Sequence, residues 1–155
     1  MSHTLPRVAA RIQEGLVDLA QAVERAQSAW RKAQLFSDDL YLDSLALNLH
    51  AFYTGLERLF ELIAAAVDGD VPQGSNWHQQ LLEQMTREVP GVRPAVISRD
   101  TYSHLEDYRG FRHVVRNVYA FRFDPQKLEM LIGRAQSVYS QVEAELSAFA
   151  RLLDR

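Results

Sequence analysis

Arg109, Arg112, His113, Arg116, Asn117 and Tyr119 fall within Tyr108–Phe123, the stretch YRGFRHVVRNVYAFRF. Wound as an α-helix, these six residues occupy one arc of about 160°, with Phe111, Val114, Val115 and Val118 on the opposite arc. Such a helix buries its apolar side and holds a cationic, hydrogen-bonding row toward a cleft or a partner. Arginine offers a planar fork that grips two phosphate oxygens at once, and histidine titrates near neutral pH. Together they suit RNA cleavage in which the 2′-hydroxyl is the nucleophile: a positioned base removes its proton, cations stabilise the crowded phosphate, and no metal is required. In that reading Arg112 and Arg116 hold phosphate, as Arg109 can, and His113 is the acid or base. Asn117 orients a ribose, a phosphate or the imidazole, and Tyr119 stacks on a base or bonds a phosphate oxygen. The competing reading is a solvated polar face. Against it, no acid interrupts the row between Arg109 and Tyr119, although the whole chain is acidic with a net charge of −3.

Other chemistries have no motif behind them. A Gly-rich phosphate loop, a His-Glu-x-x-His pair and a nucleophile elbow are all missing, and the histidines at 3, 50, 78, 104 and 113 form no i, i+4 ligand pair. Neither a metal nor a cofactor is expected. With no cysteine there is no disulfide framework, and no stretch approaches the roughly 20 apolar residues of a membrane span. A cytoplasmic protein that is not exported and has no membrane partner is the expectation. The acidic balance argues against broad capture of nucleic acid, so contact with RNA must come from the local arginine row.

The row needs a scaffold, and the chain reads as all-α. At 155 residues, 47% hydrophobic and with only 7 Gly and 5 Pro, it suits one helical domain over residues 1–155. Val8, Ile12, Leu16, Leu19, Val23, Ala26 and Trp30 recur at three- and four-residue steps, giving a first helix from Leu5 to Leu35. Ser37, followed by Asp38 and Asp39, is the expected cap of a second helix that runs to Val67 and closes at Asp68 and Gly69. Its broad stripe from Leu42 to Ile63 marks the central core helix. On its more polar side lie His50, Tyr53, Thr54, Glu57 and Arg58, where Glu57 and Glu61 suit structural pairing with arginines of a neighbour. The turn-rich Asp68–Asn76 precedes a third helix, Trp77 to Val89, in which His78 reads as a packing and capping residue. Pro90, Gly91 and Pro94 interrupt the chain before Ser98 caps a fourth helix, Arg99 to about Phe121. Asp124 and Pro125 open a fifth that runs to the C-terminus. Five helices without strands favour an up-and-down bundle.

At these residues the chain resembles a known family. Arg112 to Tyr119 resembles the Arg-x4-His-x-Tyr signature of HepT-like toxins in the HEPN superfamily, with Asn117 in the histidine slot and His113 directly after the arginine. RHVVRNVYAF with Asp124-Pro125, FYTGLERLFELIA in the second helix, and the Trp77-His78 pair extend the resemblance over about Leu42 to Leu131. It implies a HEPN-like helical bundle that forms a homodimer, the motif helices of the two copies facing one another across a shared cleft. It also implies metal-independent endoribonuclease activity on RNA and a minimal nucleotidyltransferase antitoxin that attaches AMP to the motif tyrosine, here Tyr119. An amide cannot act as a base at neutral pH, so with Asn117 in that slot either His113 takes the role or the activity is lost. The alternative function is therefore a catalytically inactive HEPN-type adaptor that docks the nucleotidyltransferase or RNA. A third reading makes the row a dimer contact, its arginines bonding Glu57 or Asp107 of the second copy.

Overall fold

The computed structural model describes residues 4–117 and 123–155. In it the apolar periodicities become five α-helices: α1 Thr4–Phe36, α2 Leu40–Ile63, α3 Trp77–Met85, α4 Arg99–Asn117 and α5 Pro125–Leu153. No strand forms among the described residues beyond an isolated bridge between Val89 and Arg93. α1 lies along α2 and α5, α4 packs on α2 and α5, and the short α3 covers the ends of α2 and α4.

α1 and α2 approach closely enough to exclude side chains. A Cβ on Gly15 would stand 2.7 Å from a methyl of Leu59, and one on Gly55 would stand 2.9 Å from a methyl of Leu19. Residues 15 and 19 thus meet 59 and 55 in reverse order, so the two helices are antiparallel. Their shared seam is filled by Ile12, Leu16, Leu19 and Val23 from α1 and by Leu49, Phe52, Leu56 and Ile63 from α2, all buried. Two tyrosine hydroxyls tie α5 into this frame. Tyr139 donates to the Leu16 carbonyl at 2.9 Å, and Tyr108 of α4 donates to the Leu131 carbonyl at 2.6 Å.

The start of α2 departs from expectation. Ser37 adopts φ 50, in the left-handed region, and so makes the turn between the helices instead of capping. Asp38 takes over, its carboxylate accepting the Leu40 N–H at 3.0 Å. At the other end α2 runs into one π-helical turn, Ala64–Asp68, closed by Gly69 at φ 70. α3 is four residues shorter than its pattern suggests because the chain folds back after it: Val96 and Ile97 both donate to the Met85 carbonyl, at 2.9 and 3.1 Å. α4 begins as expected, with Ser98 Oγ accepting the Thr101 N–H at 3.1 Å. Glu145 of α5 then accepts from Ser98 N, Ser98 Oγ and Thr101 Oγ1, each at 2.9 Å. Asp124 caps α5 by accepting the Gln126 N–H at 3.0 Å, with Pro125 in the first turn.

Candidate functional site

α4 divides its faces as its sequence dictates. Phe111 is buried and Val114 and Val115 are half-buried, whereas His113, Arg116 and Asn117 are exposed. The row is not uniform, however: Arg109 and Arg112 are recessed between helices, and the acids missing from the row come from elsewhere. Glu106, one turn earlier on α4, engages Arg109 in a two-point pair, with Nε and Nη2 at 2.7 and 3.0 Å from its two oxygens. This contact holds the Arg109 guanidinium above its ordinary pKa. Arg109 therefore reaches the site already neutralised. Arg112 faces Glu57 of α2 at 3.9 Å, beyond hydrogen-bond reach, and its Nε is buried with no partner among the described residues. The Arg112 guanidinium is thus balanced in charge by Glu57 without a hydrogen bond to it.

Glu57 is 3% exposed, an unusual place for a carboxylate, and it is not alone there. His78, at the start of α3, places its Nδ1 2.7 Å from Glu57 Oε2. The imidazole also lies against the Trp77 ring, with centroids 3.6 Å apart. The carboxylate is thus held between an imidazole and a guanidinium of its own chain. Asp107 likewise meets Arg134 of the same chain, at 3.7 Å.

Between α4 and the start of α3 opens a cleft of about 220 Å³, lined by Arg109, Arg112 and His113 on one side and by Ser75, Asn76, His78 and Gln79 on the other. Of the residues singled out from sequence, these two arginines and the histidine meet there. Asn117 is joined to them through His113: its amide nitrogen lies 2.8 Å from the His113 carbonyl oxygen and 3.2 Å from His113 Nδ1. With the amide nitrogen toward the carbonyl, its second N–H suits Nδ1 as an acceptor. The neutral ring then carries its proton on Nε2. Asn117 thereby orients the imidazole, one of the three roles open to it, and makes His113 a donor at its free nitrogen. Arg116 is exposed and does not line the cleft. Tyr119 and the expected end of the helix at Phe121 lie outside the described residues.

In the sequence Glu57 and His78 stand apart, one as an ion-pairing and the other as a packing residue. No local signal joins positions 21 apart, since their meeting depends on how α3 crosses α2. Tyr53, one turn before Glu57, is 1% exposed, and its hydroxyl has no protein partner among the described residues. Burial, reinforced by the Glu57 charge, raises its pKa far above the usual phenol range. Removing an unpartnered buried hydroxyl restores lost desolvation, so Tyr53→Phe is expected to leave folding stability unchanged or raise it by about 1 kcal/mol. A clear drop in the urea midpoint would show the hydroxyl to be bonded in solution.

His50, one turn before Thr54 on α2, completes the polar surroundings. Its Nε2 is 3.5 Å from Thr54 Oγ1, and its Nδ1 is buried without a partner among the described residues. Burial, then the charges of Arg112 and Arg116, lower its pKa from the ordinary 6.5, with Glu57 opposing them. The unfolded chain therefore takes up this proton before the folded one does. The contribution to stability from His50 is fully present above about pH 6.5 and is lost as pH falls toward the folded value. Chemical denaturation at pH 7.5 and 5.5 is expected to give a smaller acid destabilisation for His50→Gln than for the unaltered chain; equal losses would refute the assignment.

A family model described as HepT-like protein matches residues 44–153. The chain belongs to the HepT-like family. The match begins early in α2 and ends with α5, so the HepT-like region contains Glu57, His78, Arg112, His113 and Asn117 together with the cleft they form, while α1 precedes it. No curated protein and no solved structure matches the chain. Among the described residues, no helix is long and apolar enough to cross a membrane, and no group of three or more His, Cys, Asp or Glu is placed to hold a metal ion.

Proposed function

We propose that this HepT-like chain is the toxin of a toxin–antitoxin pair and acts as a metal-independent endoribonuclease. The observation that carries the reading is the cleft that Arg112 lines together with His113 and His78. Arg112 grips the scissile phosphate, and His113 donates from Nε2 to a phosphate oxygen while Asn117 holds its ring. Arg116, exposed one turn beyond, meets a flanking phosphate. Attack by the 2′-oxygen on phosphorus breaks the bond to the 5′-oxygen, leaving a 2′,3′-cyclic phosphate on one fragment and a 5′-hydroxyl on the other. Two copies bring their α4 helices together so that the groove is shared. A minimal nucleotidyltransferase serves as antitoxin and silences the site by placing AMP on Tyr119.

The test is incubation of the purified protein with RNA in EDTA, beside the same RNA carrying 2′-deoxy sugars. Cleavage of the first alone, with cyclic phosphate ends, is the expected result. Intact RNA, or equal cutting of both substrates, would rule the reading out. A second reading draws on Asn117 in the catalytic histidine slot and on the Arg109 fork already occupied by Glu106. In it the chain is an inactive HEPN-type adaptor whose Arg116 side docks the nucleotidyltransferase or RNA, and Arg116→Glu would abolish that complex where no cleavage occurs.

A further inference from the structure

We propose that His78 is the general base of this site and that Glu57 is its positioning residue, an inference that rests on the ribonuclease reading above. The motif helix lacks a base of its own. Asn117 cannot accept a proton at neutral pH, and its amide commits His113 to the tautomer with the proton on Nε2. His78 has the opposite arrangement. Its Nδ1 donates to the Glu57 carboxylate at 2.7 Å, which leaves the lone pair on Nε2, and Nε2 has no protein partner among the described residues. The ring is therefore a donor where it meets the protein and an acceptor where it remains free.

Three further observations suit the pair to chemistry. His78 lines the same cleft as Arg109, Arg112 and His113, so a phosphate held by the Arg112 fork lies beside the imidazole. The Trp77 ring, 3.6 Å from it between centroids, and the Glu57 contact together restrict its rotation. Glu57 is buried and has an imidazole on one oxygen and a guanidinium facing the other, so imidazolium formed during the reaction is stabilised at a carboxylate that water screens poorly. In the proposed step the 2′-hydroxyl gives its proton to His78 Nε2 as the 2′-oxygen bonds to phosphorus. The 5′-oxygen departs with the electron pair of the broken bond and takes a proton from water, and the imidazolium returns its proton to solvent.

The experiment uses the full chain and an RNA oligonucleotide in EDTA. His78→Ala is expected to lower the cleavage rate about a hundredfold, within the range for a lost general base. The thermal midpoint falls, because Glu57 loses its hydrogen-bond partner, but at temperatures where the variant is folded its affinity for the 2′-deoxy form of the oligonucleotide stays close to that of the unaltered protein, and added imidazole restores part of the rate. Glu57→Gln, which can still accept from Nδ1 but carries no charge, moves the acid limb of the rate–pH profile downward, a change that a merely structural role would not produce. A folded His78→Ala protein that cleaves within roughly threefold of the unaltered chain, or that imidazole fails to rescue, overturns the assignment while leaving the ribonuclease reading intact. Absence of cleavage by the unaltered chain overturns both.

Discussion

Arg112→Ala is expected to lower the rate of RNA cleavage about a thousandfold at saturating substrate, the loss that follows removal of a preorganised donor set aimed at developing charge. The magnitude follows from where the side chain sits. Arg112 is 14% exposed, so water offers little competition for its donors, and Glu57 at 3.9 Å is too far away to accept a hydrogen bond from it. Arg109 cannot substitute, because two of its donors are held by Glu106 at 2.7 and 3.0 Å. Arg112→Lys should recover little of the rate: an ammonium restores the charge but not the fork that contacts two oxygens at once. The fold should survive either change, since Glu57 keeps His78 as a partner. Single-turnover kinetics with a melting curve for each variant is the measurement. Alanine and lysine variants that both cleave within about tenfold of the original would remove Arg112 from the chemistry.

The parts of this protein that follow from periodic burial were legible in its sequence, and the parts that depend on helix crossings were not. Val8 through Ala26 on α1 and Leu45 through Ile63 on α2 announce their buried stripes at three- and four-residue steps, and these are the residues that pack. The Asp124-Pro125 start is equally plain, since a cap followed by proline needs no tertiary partner. Ser37 misleads because serine caps and serine turns have the same local composition; the left-handed φ is imposed by the need to reverse the chain between two long helices. At α3 the apolar pattern continues past Met85, but the return of Val96 and Ile97 to the Met85 carbonyl ends the helix from outside. In the site, the residue types in the arginine row suit the phosphate chemistry proposed for it, and Arg109, Arg112 and His113 do line one cleft. That Arg109 is occupied, that Asn117 governs the His113 tautomer, and that Glu57 meets His78 are pairings of geometry, and no spacing in the chain encodes the third of them.

Arg93→Leu is expected to cost about 3–5 kcal/mol of folding stability, the loss typical of leaving one member of a buried ion pair behind. Its side chain is 1% exposed and that of Asp68 is 4% exposed, and the two join at two points, Nε to Oδ1 at 2.6 Å and Nη2 to Oδ2 at 2.8 Å. The remaining donors meet the carbonyls of Arg87, Pro94 and Gln84 at 2.7, 2.9 and 3.2 Å, so one guanidinium ties the π-helical end of α2 to the end of α3 and to the loop after it. Leucine would leave the Asp68 carboxylate with the Gln84 amide at 2.7 Å and no cation, and would leave three carbonyls short of a donor. In a chain of this length the midpoint of thermal unfolding should fall by about 10 °C. Asp68→Leu added to Arg93→Leu should recover part of that loss, because the uncompensated charge disappears while the carbonyls stay unpaired. A drop below about 1 kcal/mol for the single variant would mean that the pair is hydrated in solution and contributes as a surface bridge does. The same substitution discriminates at the site. α3 is held at its far end by Arg93 and carries His78 at its near end, so loosening this clamp should raise the mobility of the imidazole relative to Glu57. RNA cleavage should then decline at temperatures where circular dichroism still reports an intact bundle, whereas Arg112, seated on α4 outside the clamp, should retain its contribution to RNA affinity there.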